Sequence, residues 1–267
     1  MWPYPEIVAH RGGGALAPEN TIAALRCGLA YGFHAVEFDV MLAGDGIPVV
    51  LHDEMLGRTV AGNGKVPDFT AADLMRMDAG AWFSPAFAGE TVPSYAQVFH
   101  FCLAHGIWMN VEIKPAPGFE TATGRTVAAL TAQWLADAAA GVAAGVAGAS
   151  GRPDAAALAS GWPAPLLSSF SHDALLAAQA AAPGLARACL FDVVPDDWRQ
   201  RLAEVGAVAL HTNHEKLTPQ LAAAVKAAGY GLFCYTVNEP ARAREIRVWG
   251  VDAFCTDRID LIGADFR

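Results

Sequence analysis

The chain has 267 residues, 54% hydrophobic and only 17% charged, so it can bury a large core and is not globally disordered. Its 18 Lys and Arg against 27 Asp and Glu leave a formal charge of −9, which argues against a nucleic-acid partner and against stable docking on an anionic membrane. The length suits a single α/β barrel.

Mean hydropathy is +0.28, yet no run of about 18 apolar residues escapes charge, Gly or Pro. Residues 1–6 lack the basic and apolar stretches of a secretion signal. The cysteines Cys27, Cys102, Cys189, Cys234 and Cys255 are scattered and form no CxxC pair, as expected of reduced thiols in a cytoplasmic protein.

Residues 7–10 read as a buried strand ending in His10-Arg11. Gly12-Gly13-Gly14 is either a tight turn or a turn that offers backbone N–H groups to a phosphate. Asn20 or Thr21 is the expected N-cap of a helix over 21–31. A second strand, 35–40, carries Glu37 and Asp39. Residues 47–52 follow too closely for a crossover helix, and Gly44-Asp45-Gly46 marks a turn. This predicts a hairpin that extends the second strand past the rim and returns His52 towards Asp39. Residues 54–93 carry turn signals, Gly62-Asn63-Gly64 among them, and aromatics, and predict a small insertion over the barrel.

Helices are then expected over 95–105, 125–139, 173–181, 196–205, 219–228 and 240–249. Strands are expected over 108–114, 166–170, 187–191, 207–211, 231–237 and 253–256. The Ala/Gly-rich stretch 137–161 reads as a surface excursion. Eight apolar strands alternating with helices predict a closed (β/α)8 TIM barrel spanning 1–267 as one domain, with a doubly wound open sheet as the alternative.

In a barrel the C-terminal strand ends face the active site. Residues i and i+2 of a strand share a face, so Glu37 projects with Asp39, and Glu112 with Lys114. Three carboxylates at one mouth suit a hard divalent cation, Mg2+ or Ca2+. A buried ion-pair network, with Arg11 and Lys114 neutralising the acids, uses the same residues. His10 and His52 at that mouth suit acid–base work near neutral pH, though either alone reads as a rim histidine. His34, His100, His105, His172, His211 and His214 lack such a pairing and are expected to be structural, although His172 and His211 lie near strand exits.

His10-Arg11-Gly12 with Pro18-Glu19-Asn20-Thr21, Glu37-Phe38-Asp39-Val40, Val49-Val50-Leu51-His52-Asp53 and Glu112-Ile113-Lys114-Pro115 together resemble the glycerophosphodiester phosphodiesterase family. Leu167-Ser168-Ser169-Phe170, Tyr235-Thr236-Val237-Asn238 and Cys255-Thr256-Asp257 agree, so the resemblance covers nearly the whole chain. Details such as Asp78-Ala79-Gly80 are similar to its bacterial cytosolic members, and Ile259 stands where those carry Pro.

The resemblance implies a divalent cation on Glu37, Asp39 and Glu112, with His10 and His52 as the acid/base pair. It implies Arg11 and Lys114 on phosphate oxygens. The substrate is then a small glycerophosphodiester, cleaved to glycerol 3-phosphate and an alcohol. Competing readings are a phospholipase C- or D-like enzyme of the same barrel superfamily and a non-catalytic glycerophosphodiester-binding protein. Trp82, Phe83 and Phe87 are expected to pack the insertion onto the barrel rather than to wedge into a membrane.

Overall fold

The computed structural model describes residues 2–143 and 163–267. Among these, eight parallel strands close a barrel: β1 (Ile7–Ala9), β2 (Ala35–Leu42), β4 (Trp108–Ile113), β5 (Leu166–Ser169), β6 (Ala186–Phe191), β7 (Ala209–Asn213), β8 (Gly231–Tyr235) and β9 (Ala253–Thr256). β1 closes it by pairing with both β2 and β9, with Ile7 opposite Phe254 and Ala9 opposite Thr256. The closed sheet excludes the open, doubly wound alternative.

β3 (Pro48–Val50) runs antiparallel to the end of β2, with Val40 opposite Val50 and Leu42 opposite Pro48. β2 is correspondingly long, continuing to Leu42 where residues 35–40 were expected, because this hairpin pairs its outer end.

The helices packed around the barrel are α1 (Ile22–Ala30), α3 (Tyr95–Ala104), α4 (Glu120–Ala143), α5 (His172–Ala181), α6 (Trp198–Glu204), α7 (Pro219–Ala227) and α8 (Pro240–Val248). A one-turn helix, α2 (Ala71–Leu74), lies in the insertion. α4 begins before the expected 125, with Glu120 supplying the acidic residue that favours a first turn. The excursion expected over 137–161 lies, beyond Ala143, outside the described residues.

The lumen is filled by side chains from alternating strand positions, small Ala35, Ala188, Ala209 and Ala253 interleaved with large Trp108 and Phe233. Trp2 and Tyr4 close its lower end, the Tyr4 ring 4.9 Å from Trp108. Gly231 leaves room for this closure, since a Cβ there would lie 2.7 Å from the Trp2 ring.

The insertion has a core of its own. Leu56, Val60, Val66, Leu74 and Val92 pack on Met41, Val49 and Leu51 of the hairpin. Aliphatic residues, not the expected aromatics, therefore seat it. Trp82, Phe83 and Phe87 stack edge-to-face on one another at 5.7 and 5.6 Å, and Trp82 is 43% exposed. The insertion is also tied to α1, where Glu90 Oε1 accepts a hydrogen bond from the Ala23 N–H at 2.9 Å.

Candidate active site

β2 and β4 are neighbours, and their register puts Asp39 opposite Glu112. Glu37, Asp39 and Glu112 are 5%, 1% and 7% exposed, and each offers an oxygen within 4.8 Å of the others'. Arg11 Nε and Lys114 Nζ approach Asp39 at 3.6 and 3.2 Å. Burial alone would raise Asp39, but Lys114 and Arg11 hold its carboxyl well below the usual range.

The two cations do not satisfy the whole cluster. Among the described residues, the hydrogen bond to Glu37 comes from the Arg11 backbone N–H, at 3.3 Å. Burial, then Asp39 and Glu112, raises it well above an ordinary glutamate. Glu112 is pushed up to about 7 by burial and by Asp39. Its Oε1 is buried without a hydrogen bond, Lys114 Nζ lying 3.3 Å away outside bonding geometry. A purely ion-paired cluster would leave neither glutamate so poorly compensated. This donor set, all carboxylate oxygen and short of positive charge, fits a divalent cation.

Asp39 is steered from the turn after β1. Asn20 Nδ2 donates to Asp39 Oδ2 at 2.8 Å, and Asn20 Oδ1 accepts from the Asp39 N–H at 3.3 Å. The expected capping role of Asn20 is thus corrected: Thr21 Oγ1 caps α1 by accepting from the Ala24 N–H at 3.1 Å. Asn20 instead adopts φ +60°, a left-handed conformation that Asn tolerates and that turns its amide inward.

The glycine run serves a tight turn. Gly14 has φ +56°, and a Cβ there would lie 2.2 Å from the Asp257 carbonyl oxygen. That close approach brings the loop after β9 against His10. His10 Nδ1 meets Asp257 Oδ1 at 2.6 Å, and His52 Nδ1 meets Asp53 Oδ1 at 2.6 Å. Both aspartates are held below the ordinary range despite burial, Asp257 by His10 and Asn238, Asp53 by Arg58 and His52. An ionised carboxylate accepts only, so Nδ1 carries the proton in each ring and Nε2 is left for chemistry. Nε2 of His10 lies 3.7 Å from Glu37. Burial lowers His52, favouring its neutral form.

A cavity of about 170 Å3 joins these groups, lined by His10, Arg11, Glu37, His52, Glu112 and Lys114 together with Phe170, Leu190, Phe233 and Tyr235. Asp39 lies behind this lining. All seven residues singled out from the sequence thus meet at one mouth. His211 also reaches the cavity, but burial pushes it down to about 3 and it stacks on Phe233 with ring centroids 4.5 Å apart. His172 pairs with Glu204 at 3.0 Å, outside that lining.

Sequence reasoning quotes Glu19, Asn238 and Asp257 within its motifs but gives them no role, and it misses Arg58. Asp257 follows a strand exit, so the rule that found the other acids also reaches it. Asn238 and Arg58 sit in loops with no periodic signal.

A (β/α)8 barrel that gathers two aspartate-bonded histidines and three buried acids at one mouth has the groups for acid–base chemistry. The sequence matches the glycerophosphoryl diester phosphodiesterase family over residues 10–261. A glycerophosphodiester phosphodiesterase of Caldanaerobacter subterraneus subsp. tengcongensis is 30% identical, the match covering 94% of this chain and 93% of that protein. The human glycerophosphodiester phosphodiesterase 1 is 35% identical over 109 residues, 40% of this chain and 33% of its own length. Among solved structures, an Oleispira antarctica phosphodiesterase in complex with the product sn-glycerol-3-phosphate superposes with a TM-score of 0.77 at 33% identity, covering 95% of this chain and 93% of that one. A glycerophosphodiester phosphodiesterase from Agrobacterium tumefaciens gives 0.72 at 26% identity, covering 96% and 98%. The chain belongs to the glycerophosphoryl diester phosphodiesterase family and is an enzyme of it.

Proposed function

We propose that the enzyme hydrolyses small, soluble glycerophosphodiesters to glycerol 3-phosphate and an alcohol, with a divalent cation and histidine acid–base catalysis. The observation that carries this reading is two histidines, each oriented through Nδ1 by an aspartate, facing one cavity with three buried acids. Glu37, Asp39 and Glu112 would hold the cation. A bound Mg2+ or Ca2+ would draw charge from the phosphoryl oxygens and relieve repulsion among the acids.

Arg11 and Lys114 hold the remaining phosphoryl oxygens, which lowers the barrier to an incoming nucleophile. Nε2 of one histidine accepts the proton of the attacking hydroxyl as its oxygen bonds to phosphorus. Nε2 of the other, protonated, gives its proton to the departing alkoxide as the second P–O bond breaks. The proton balance is the same whether water or the neighbouring glycerol hydroxyl attacks. The latter gives a cyclic phosphate that a second round with water opens.

The reading takes 1–267 as one phosphodiesterase domain with 54–93 as its insertion. It includes action in the cytoplasm, supported by five free cysteines. No helix among the described residues is long and apolar enough to cross a membrane.

The test is release of glycerol 3-phosphate from a panel of glycerophosphodiesters, with and without chelator. The expected result is turnover abolished by chelation and restored by Mg2+ or Ca2+. Full turnover in excess chelator, by protein free of metal, overturns the cation site; no turnover of any member overturns the substrate class.

A further inference from the structure

The insertion sends one side chain back to the rim. Arg58 Nε donates to Asp53 Oδ2 at 2.5 Å, and Nη1 and Nη2 donate to the two oxygens of Glu19, each at 2.7 Å. These two carboxylates hold the groups that face the substrate. Asp53 orients His52, and Glu19 Oε1 accepts from Arg11 Nη1 at 2.6 Å. One guanidinium therefore joins the arm that meets the phosphoryl group to the ring that moves a proton.

Arg11 depends on this arrangement. Its backbone sits at φ +51°, a conformation that a non-glycine residue keeps only when its surroundings impose it. Its Nε is buried 3.6 Å from Asp39 without a hydrogen bond, so among the described residues the hydrogen bond that fixes the guanidinium is the one to Glu19. Arg58 uses three donors in a planar fork, a geometry that one lysine ammonium cannot copy across two carboxylates. Seating the insertion is a separate matter, because its aliphatic core and the Glu90 bond to α1 do not involve Arg58.

We infer that Arg58 is a positioning residue that couples the phosphate-binding arm Arg11 to the catalytic histidine His52 through Glu19 and Asp53. The inference rests on the phosphodiesterase reading above. The insertion thereby contributes to the chemistry of a site it does not line.

The experiment compares Arg58→Ala, Arg58→Lys, Glu19→Gln and the double variant Arg58→Ala/Glu19→Gln, using glycerophosphocholine. A misaligned pair is expected to lower kcat by about 10–100-fold and to raise KM. The melting temperature of Arg58→Ala should stay close to wild type, because Arg58 is half exposed. Arg58→Lys should recover little, and millimolar guanidinium should partly restore Arg58→Ala. The double variant should cost little more than the worse single one, since both break one chain of contacts.

A second readout is the low-field proton NMR signal of the His52 ring N–H, assigned by its loss in His52→Asn. It should weaken in Arg58→Ala. An unchanged signal, wild-type kcat and KM in Arg58→Ala, full recovery by Arg58→Lys or strict additivity in the double variant would each overturn the coupling. If the wild type cleaves another member of the panel but not glycerophosphocholine, that member replaces it in the comparison; if it cleaves none, the functional reading falls and the proton signal alone decides the coupling.

Discussion

The two histidines proposed as acid and base differ in who orients them. His52 takes the next residue in the chain, Asp53, whereas His10 takes Asp257 from the far end. Each positioned acid or base typically contributes about 10²–10⁴-fold, so His10→Ala and His52→Ala are each expected to lose at least that order in kcat while still binding substrate. Near-wild-type turnover in either variant would make that residue a rim histidine. The acids give a second expectation. In the cation-free protein burial and Asp39 push Glu112 up to about 7, against an ordinary 4.5. The folded protein therefore holds a proton that the unfolded chain releases between those values. The stability this contributes is full below about pH 4.5 and is lost as pH rises through about 7. A cation takes the place of that proton, so added Mg2+ or Ca2+ should raise the melting temperature more at about pH 8 than at about pH 5.5. Equal gains at both, measured by calorimetry, would count against Glu112 as a ligand. At this scale the sequence was most informative where charge interrupted an apolar strand, as at Glu37, Asp39 and Glu112, because unpaired charge there is costly. Asn20 is hard to read from sequence because a residue before a helix has an obvious local use, whereas its partner Asp39 lies 19 residues away on another element.

The turn from β1 into α1 carries more of the site than its length suggests. It supplies Arg11, Glu19 and Asn20, and its glycines let the loop after β9 come close. Gly14→Ala would place a side chain in the left-handed region, costing about 1–2 kcal/mol, and would also drive a Cβ into the Asp257 backbone. The expected outcome is a lower melting temperature together with a lower kcat, since Asp257 must retreat from His10. Loss of stability with kcat intact would show that Asp257 does not need that approach. The strand–helix alternation, and the hairpin that returns His52, were legible because each follows from period and turn residues alone. The seating of the insertion was not legible. Aromatics draw the eye in a sequence, but area is buried by whichever side chains face the hairpin, and those are Leu56, Val60, Val66 and Leu74.

The whole molecule presents an acidic surface, and its partly exposed aromatic trio lies in the insertion rather than in the cavity lining. The groups that would meet a phosphodiester do not distinguish acylated from deacylated glycerol, so access decides. Choline release from glycerophosphocholine is expected to exceed release from phosphatidylcholine vesicles by a wide margin at equal phosphate, because no Lys or Arg stands beside Trp82, Phe83 and Phe87 in the sequence to support lipid docking. Comparable rates would make Trp82, Phe83 and Phe87 a lipid-facing wedge. The barrel is sealed by its first and last strands, and the same seam brings Asp257 to His10 across 247 positions of sequence. A growing polypeptide on the ribosome therefore has an open sheet edge at β1 until β9 has been made, and His10 lacks its aspartate before that moment. On the proposed chemistry, the ability to move both protons would arise late in synthesis and would be lost wherever the seam parts.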